Sequence, residues 1–138
     1  MRVFLDANVL FSAAYREGAS IRAFFELAEA GACVLVSSSH AIEEARRNLA
    51  SKRPERLATL EALLGEIEVC GEPSPTRVAW AASTGLPAKD APILAAAVDS
   101  RCTVLVTGDR TDFRALFGRR MSGTLVMLPA EALELLIG

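Results

Sequence analysis

The chain has 138 residues, of which 51% are hydrophobic and 23% are charged, and this balance excludes wholesale disorder and predicts a single domain over residues 1–138. The formal net charge of −2 argues against a protein held on nucleic acid by bulk electrostatics alone. Because no export signal precedes Asp6 and no apolar run approaches the roughly 18 residues of a membrane span, we expect a cytoplasmic protein with no membrane partner.

The hydrophobic pattern predicts strands that alternate with helices along the whole chain. Apolar runs without alternation, or with only weak alternation, predict five strands, at residues 2–5, 33–36, 67–70, 102–106 and 124–128. Apolar residues at helical spacing, bounded by serine, glycine and proline, predict six helices, at residues 19–30, 40–50, 55–64, 76–84, 90–98 and 130–137.

Fold class follows from this alternation. Strands that are apolar on both faces and separated by helices are typical of parallel sheets covered on both sides. We therefore expect an α/β protein, a three-layer α/β/α sandwich with a mostly parallel five-stranded sheet. The weakly alternating run at residues 67–70 is the candidate edge strand of that sheet.

Acidic residues follow several of these strands. Asp6 and Asp109 each come after a buried strand, Asp90 opens a helix, and Glu43 and Glu44 lie in the helix after the second strand. Ligands of open parallel sheets bind outside the carboxyl ends of the strands. We therefore expect these carboxylates to converge on one edge of the sheet, although each also has an ordinary structural explanation as a helix cap, an Asx turn or a helix-dipole partner.

Such a cluster requires either protonation or a bound cation. Two unit charges 4 Å apart repel by about 4 kcal/mol at an effective dielectric constant near 20. Hard divalent cations prefer oxygen ligands, which favours Mg²⁺ or Mn²⁺. Zinc is not favoured, because His40 is the only histidine and no cysteine pair has metal-ligand spacing.

Four segments of the sequence, in order, resemble the conserved elements of PIN-domain ribonucleases. They are Phe4–Leu10, which contains DxNxL, then Val36–Leu49, Lys89–Ala97 with KDAP, and Leu105–Phe113 with TGD followed by a second Asp and Phe. The pairing of the third and fourth segments across one helix and one strand is the most specific feature. The resemblance implies a PIN-like fold.

The resemblance also implies a set of site residues. The catalytic, metal-binding quartet would be Asp6, Glu44, Asp90 and Asp109, with Mg²⁺ or Mn²⁺ as cofactor. Glu44 is chosen over Glu43 only by its spacing to Leu49. Further members would be Asp112 as a fifth metal-binding acid, Asn8 to orient a carboxylate or a water on the metal, and Thr107 to steady the loop by hydrogen bonding.

By the same resemblance, the protein would be an endoribonuclease that leaves 5′-phosphate and 3′-hydroxyl ends. In length the chain resembles the compact bacterial VapC-like toxins of the family, which implies RNA as substrate, a small antitoxin protein as partner and a homodimer. Basic residues near the predicted site are candidates for holding the RNA backbone, although they could equally be solvated helix faces; they are Arg46, Arg47, Arg110 and Arg114.

Two other functions remain open. A non-catalytic PIN-like RNA- or protein-binding module is disfavoured because all four acids of the quartet are present. A haloacid-dehalogenase-like phosphatase would use Asp6 as a nucleophile, but a second aspartate is expected two residues later, where this chain has Asn8.

Overall fold

The computed structural model describes residues 1–138 and contains six strands and seven α-helices. In chain order these are β1 (Arg2–Leu5), α1 (Ala7–Tyr15), α2 (Ala23–Glu29), β2 (Val34–Ser38), α3 (Ser39–Lys52), α4 (Leu57–Leu64), β3 (Glu68–Cys70), α5 (Pro75–Ala82), α6 (Ala91–Asp99), β4 (Val104–Val106), β5 (Arg120–Met121), β6 (Thr124–Met127) and α7 (Pro129–Ile137). None of these helices combines the length and apolar composition that a membrane span requires.

The sheet has the strand order β3-β2-β1-β4-β6-β5. The first five strands of that order are parallel, and only β5 is antiparallel, to β6. β1 and β4 lie at the centre, where Val3, Phe4, Leu5 and the whole of β4 are buried. β3 lies at an edge, as its weak alternation predicts.

The expected count of five strands is corrected to six. The additional strand, β5, has only two residues and forms a hairpin with β6. The hairpin turn is Ser122-Gly123, with backbone φ of 50° and 94°. Two consecutive positive φ angles are typical of the two-residue turns that match strand twist. A strand this short has no hydrophobic pattern of its own, so only the turn residues could have indicated it.

Helices cover both faces of the sheet, as expected for the three-layer sandwich. From β1 the chain moves to β2 and β3 on one side, and it then crosses back to β4 on the other side of β1. Because crossovers between parallel strands are right-handed, opposite directions of travel place helices on opposite faces. The packing agrees, since α1 contacts α3 and α4, whereas α5 packs against α6. The reversal creates a switch point at the carboxyl ends of β1 and β4.

Helix α1 is not predicted by the hydrophobic pattern. It starts directly after β1, with only Asp6 between them, so no loop signal separates the two elements. Asp6 has extended backbone angles and caps α1 by accepting a hydrogen bond from the Ala7 backbone N–H. Val9, Leu10, Ala13 and Ala14 are buried, and this burial stabilises the helix despite its position after a strand.

Candidate metal centre

Asp6 lies at the switch point and is 4% exposed. Its Oδ1 accepts a 2.7 Å hydrogen bond from the Ala7 N–H, and its Oδ2 accepts a 2.8 Å bond from the Thr107 hydroxyl. Burial raises the pKa of Asp6, and the charges of Glu44 and Asp109 raise it further, whereas the hydrogen bonds from Thr107 and Ala7 act in the opposite direction. Asp6 is therefore a fixed carboxylate whose negative charge needs a partner.

Thr107 and Asn8 form a small hydrogen-bond network around Asp6. Besides donating to Asp6, the Thr107 hydroxyl accepts 3.2 Å bonds from the Asn8 side-chain amide and from the Asp109 backbone N–H. The Asn8 amide also donates to Asp6 Oδ2 at 3.2 Å, and its carbonyl accepts a 2.7 Å bond from the Gly108 N–H. The Thr107 hydroxyl thus donates one hydrogen bond and accepts two, which is all that a hydroxyl can make. The network thus ties the start of α1 to the loop after β4.

The loop after β4 and the start of α6 bring three carboxylates together. One oxygen each of Asp90, Asp109 and Asp112 lies within 4.8 Å of the others. Asp109 Oδ1 also accepts hydrogen bonds from the backbone N–H groups of Thr111, at 3.1 Å, and Asp112, at 2.9 Å. This Asx-type turn brings Asp112 back beside Asp109, so the fifth predicted acid is a full member of the trio.

Asp90 is the least satisfied member of the trio. It occupies the N-cap position of α6, yet its side chain caps nothing, and its Oδ2 is buried without a hydrogen-bond partner. Burial and the neighbouring Asp112 carboxyl raise the pKa of Asp90 to about 6. A buried carboxylate oxygen without a partner is costly unless a proton or cation reaches it. The ordinary explanation of Asp90 as a helix cap therefore does not hold.

Lys89 is the one ammonium group that contacts this trio. Its Nζ lies 2.6 Å from Asp112 Oδ2 and 3.4 Å from Asp90 Oδ2. The contact to Asp90 is an ion pair that does not meet hydrogen-bond geometry, so Asp90 Oδ2 has a cationic neighbour but no hydrogen bond. The hydrogen bond from Lys89 lowers the pKa of Asp112, and the same contact raises the pKa of Lys89.

The two adjacent glutamates of α3 have different surroundings. Glu43 is exposed and forms an ion pair with Arg46, which also pairs with Glu61 at 2.8 Å. Glu44 is half-buried, forms no ion pair, and is close enough to raise the pKa of Asp6 by its charge. Only Glu44 therefore acts electrostatically on the centre, although it lies outside the close trio.

The four candidate arginines differ in availability. Arg46 is occupied by Glu43 and Glu61, and these contacts raise its pKa. Arg47, Arg110 and Arg114 are exposed and form no ion pair, so their guanidinium groups face solvent. Of the four, these three are better placed to meet an anionic ligand.

A cavity of about 500 Å³ is lined by residues close in sequence to Glu44 and Asp90, but none of the five predicted acids lines it. It opens over the carboxyl ends of β2 and β3, and its lining includes Ser39, His40, Cys70, Glu72 and Pro92. Pro92 lies two residues after Asp90, and the His40 end of α3 precedes Glu44 by about one helical turn. His40 is exposed, is one of the residues that line the cavity, and does not belong to the carboxylate trio.

The donor set fits a hard divalent cation. All of the converging ligand atoms are carboxylate oxygens, and no histidine or cysteine belongs to the trio. Oxygen-only ligands suit Mg²⁺, Mn²⁺ or Ca²⁺ rather than zinc. The Asp90 Oδ2 atom is buried without a hydrogen bond, and its one cationic contact is the Lys89 ammonium at 3.4 Å.

These features define an α/β sandwich with an acidic centre at its topological switch point. A sequence model described as PIN domain matches residues 2–111, and the chain belongs to the PIN domain family. No protein among those with curated functions matches the chain in sequence.

Solved structures share the fold at low sequence identity. The VapBC2 structure from Rickettsia felis, bound to a DNA fragment from its promoter, contains a chain 17% identical to this one, with a TM-score of 0.71 over 93% of this chain and 98% of that chain. PAE2754 from Pyrobaculum aerophilum is 21% identical, with a TM-score of 0.69 over 99% and 96%. VapC20 from Mycobacterium tuberculosis, a sarcin–ricin loop cleaving toxin, is 14% identical, with a TM-score of 0.58 over 82% and 94%.

Sequence reasoning did not identify Lys89 as part of the centre. The signal was its position next to Asp90 in the KDAP segment, but a lysine beside a helix start is ordinarily a solvated side chain. The backbone N–H of Gly108, which fixes Asn8, was missed because main-chain donors carry no sequence signature.

Proposed function

We propose that the protein is a metal-dependent endoribonuclease that hydrolyses RNA phosphodiester bonds with Mg²⁺ or Mn²⁺. The observation that carries this proposal is the convergence of the Asp90, Asp109 and Asp112 carboxylates, with one oxygen of each within 4.8 Å of the others, at the switch point. Membership of the PIN domain family supports it. So does the fold shared with VapC20, a toxin that cleaves the sarcin–ricin loop.

In this proposal the quartet Asp6, Glu44, Asp90 and Asp109 holds the ion. When bound, such an ion lowers the pKa of a coordinated water and stabilises the charge that develops on the phosphate. Thr107 and Asn8 fix the Asp6 carboxylate, so it needs no rearrangement when the ion arrives. The charge of Glu44 raises the pKa of Asp6, which favours Glu44 over Glu43 as the α3 ligand.

RNA binding relies on groups around the carboxylates. The unpaired guanidinium groups of Arg47, Arg110 and Arg114 would contact backbone phosphates, whereas Arg46 is held by two glutamates. The cavity over the carboxyl ends of β2 and β3 has a volume typical of small-ligand sites. It would receive an unstacked base of the bound RNA, because single-stranded RNA is recognised through splayed bases.

The test is cleavage of a mixed single-stranded RNA pool in Mn²⁺, Mg²⁺ or EDTA. We compare the native chain with Asp90→Asn and with Asp99→Asn, a matched control on the same helix whose carboxylate pairs with Arg77 outside the centre. We expect the native chain and Asp99→Asn to cleave only with metal and to leave 5′-phosphate ends, and Asp90→Asn to be inactive.

Other results would reject the proposal. Cleavage that survives EDTA, or equal activity of Asp90→Asn, would exclude a carboxylate-metal mechanism. RNA binding without cleavage in every condition would support the binding-module alternative. Incorporation of a phosphoryl group at Asp6 would support the phosphatase alternative. Against that alternative, Asn8 stands where a second aspartate is expected, and its side chain is hydrogen bonded to Asp6 and Gly108.

We further propose that the protein is a cytoplasmic toxin of the VapC type, with a small antitoxin as partner and a homodimeric state. The shared fold with a chain of the Rickettsia felis VapBC2 complex supports this. Expression of the native chain in a heterologous bacterium should arrest growth, whereas expression of Asp90→Asn should not. Light scattering after size-exclusion chromatography should give twice the 14.7 kDa mass of one chain.

A further inference from the structure

Lys89 contacts two carboxylates of the acidic centre. Lys89 Nζ contacts Asp112 Oδ2 at 2.6 Å and Asp90 Oδ2 at 3.4 Å. The lysine side chain is 72% exposed, whereas those of Asp112 and Asp90 are 20% and 13% exposed. The ammonium group therefore approaches from solvent and covers the outer side of the trio, between these two carboxylates.

The backbone keeps Lys89 next to the trio. The N–H groups of Asp90 and Ala91 both bond to the Pro87 carbonyl, at 2.9 and 3.2 Å, so a tight turn encloses Lys89. Pro92 follows in the first turn of α6. Because two prolines restrict the backbone on either side, the lysine stem starts from a fixed point beside Asp90.

Other cations do not compete for this position. Arg46 pairs with Glu43 and Glu61, and Arg47, Arg110 and Arg114 form no ion pair with any member of the trio. Lys89 is thus the only basic side chain in ion-pair contact with the trio.

We propose that the Lys89 ammonium occupies the position between Asp90 and Asp112 that a second divalent ion would otherwise take. The centre then binds one divalent ion rather than two. This inference rests on the proposed function in one respect, that the carboxylates bind a divalent ion. In this arrangement Asp112 is the partner of Lys89. The single ion is held by the quartet of Asp6, Glu44, Asp90 and Asp109. Lys89 is therefore a positioning residue that sets metal stoichiometry.

The electrostatic reason is direct. Two-metal sites place their ions about 3.5–4 Å apart and bridge them with shared carboxylates. An ammonium between Asp90 and Asp112 neutralises the charge that would otherwise attract the outer ion, and it repels that ion at short range. Removing the ammonium while keeping the hydrocarbon stem leaves a pair of carboxylates with no counter-ion.

The test is a Mn²⁺ titration of the full metal-free chain, followed by calorimetry and by electron paramagnetic resonance. The variants are Lys89→Met, which keeps the stem without the charge, Lys89→Arg, which keeps the charge, and Asp112→Asn. We expect one Mn²⁺ per chain in the native protein, in Lys89→Arg and in Asp112→Asn. In Lys89→Met we expect two, with the spin-coupled spectrum of a close manganese pair.

Each other outcome is decisive. One Mn²⁺ in Lys89→Met, at any affinity, overturns the proposal, as do two in the native chain. Loss of all Mn²⁺ binding in Asp112→Asn also overturns it, because Asp112 would then be a ligand of the single ion. No Mn²⁺ binding by any folded variant would instead refute the proposed metal-dependent function, which separates the two failures. Thermal unfolding of each variant checks that it is folded.

Discussion

Replacing Thr107 with valine would remove one hydroxyl while preserving the shape of the side chain. That hydroxyl is fully buried and makes three hydrogen bonds, to Asp6, Asn8 and Asp109. A hydrogen bond to a charged group contributes about 1.5–3 kcal/mol, and the two neutral bonds here contribute less because water reaches their partners. We expect Thr107→Val to lower the free energy of unfolding of the metal-free protein by about 3 kcal/mol.

The matched control for this change is Thr124→Val. Thr124 is 1% exposed and donates one 2.7 Å bond to the Cys102 carbonyl, away from the acidic centre. Its loss should cost about 1 kcal/mol. In thermal unfolding of a chain of this size, we expect Tm to fall by about 10 °C for Thr107→Val and by about 4 °C for Thr124→Val.

The pH dependence sharpens this test. The folded-state pKa of Asp6 is raised, so its contribution to stability is lost as pH rises, and the hydrogen bond from Thr107 limits that loss. The deficit of Thr107→Val should therefore grow as pH rises through the range in which Asp6 ionises. Equal deficits for the two variants, or a pH-independent deficit for Thr107→Val, would refute the assigned role of the hydroxyl.

Three further predictions concern the ligands, their titration and the cavity. Glu44→Gln should weaken Mn²⁺ binding about tenfold or more, whereas Glu43→Gln should not; equal effects in calorimetry would exclude Glu44 as the α3 ligand. Because the Asp90 pKa is raised to about 6, the free energy of unfolding of the metal-free chain should fall as pH rises from about 4 to about 7. In urea titrations at several pH values, Asp90→Asn should weaken this pH dependence of the free energy of unfolding. An unchanged pH dependence would show that another group causes it. His40→Ala should raise KM for RNA several-fold without changing Mn²⁺ affinity, because His40 lines the cavity; a loss of metal binding would place His40 at the metal instead.

Much of the fold could be predicted from burial alone. β1 and β4 are apolar on both faces because helices cover both sides of the sheet. Their sequences are therefore continuous apolar runs, which predict buried strands. α1 could not be predicted in this way, since it starts one residue after β1 and Asp6 both ends the strand and caps the helix. A residue with two structural roles leaves no separate boundary signal.

The convergence of acids was also accessible, because strand ends share an edge in a parallel sheet. The side chains that contact each acid could not be predicted from the sequence. Glu43 is exposed and pairs with Arg46, which also pairs with Glu61 on a different helix, whereas Glu44 is half-buried and acts on Asp6. The contact of Lys89 with Asp112 spans 23 residues, and no local pattern encodes it.

The central position of β1 has a consequence for the timing of assembly. β1 pairs with β4, so Asp6 meets its hydroxyl donor Thr107 across 101 residues of sequence. A chain synthesised from its N-terminus presents Asp6 early, but the strand that brings Thr107, Asp109 and Asp112 follows only in the last quarter of the sequence. Contacts this distant form after the local helices. A chain synthesised only as far as β3 therefore has no assembled acidic centre.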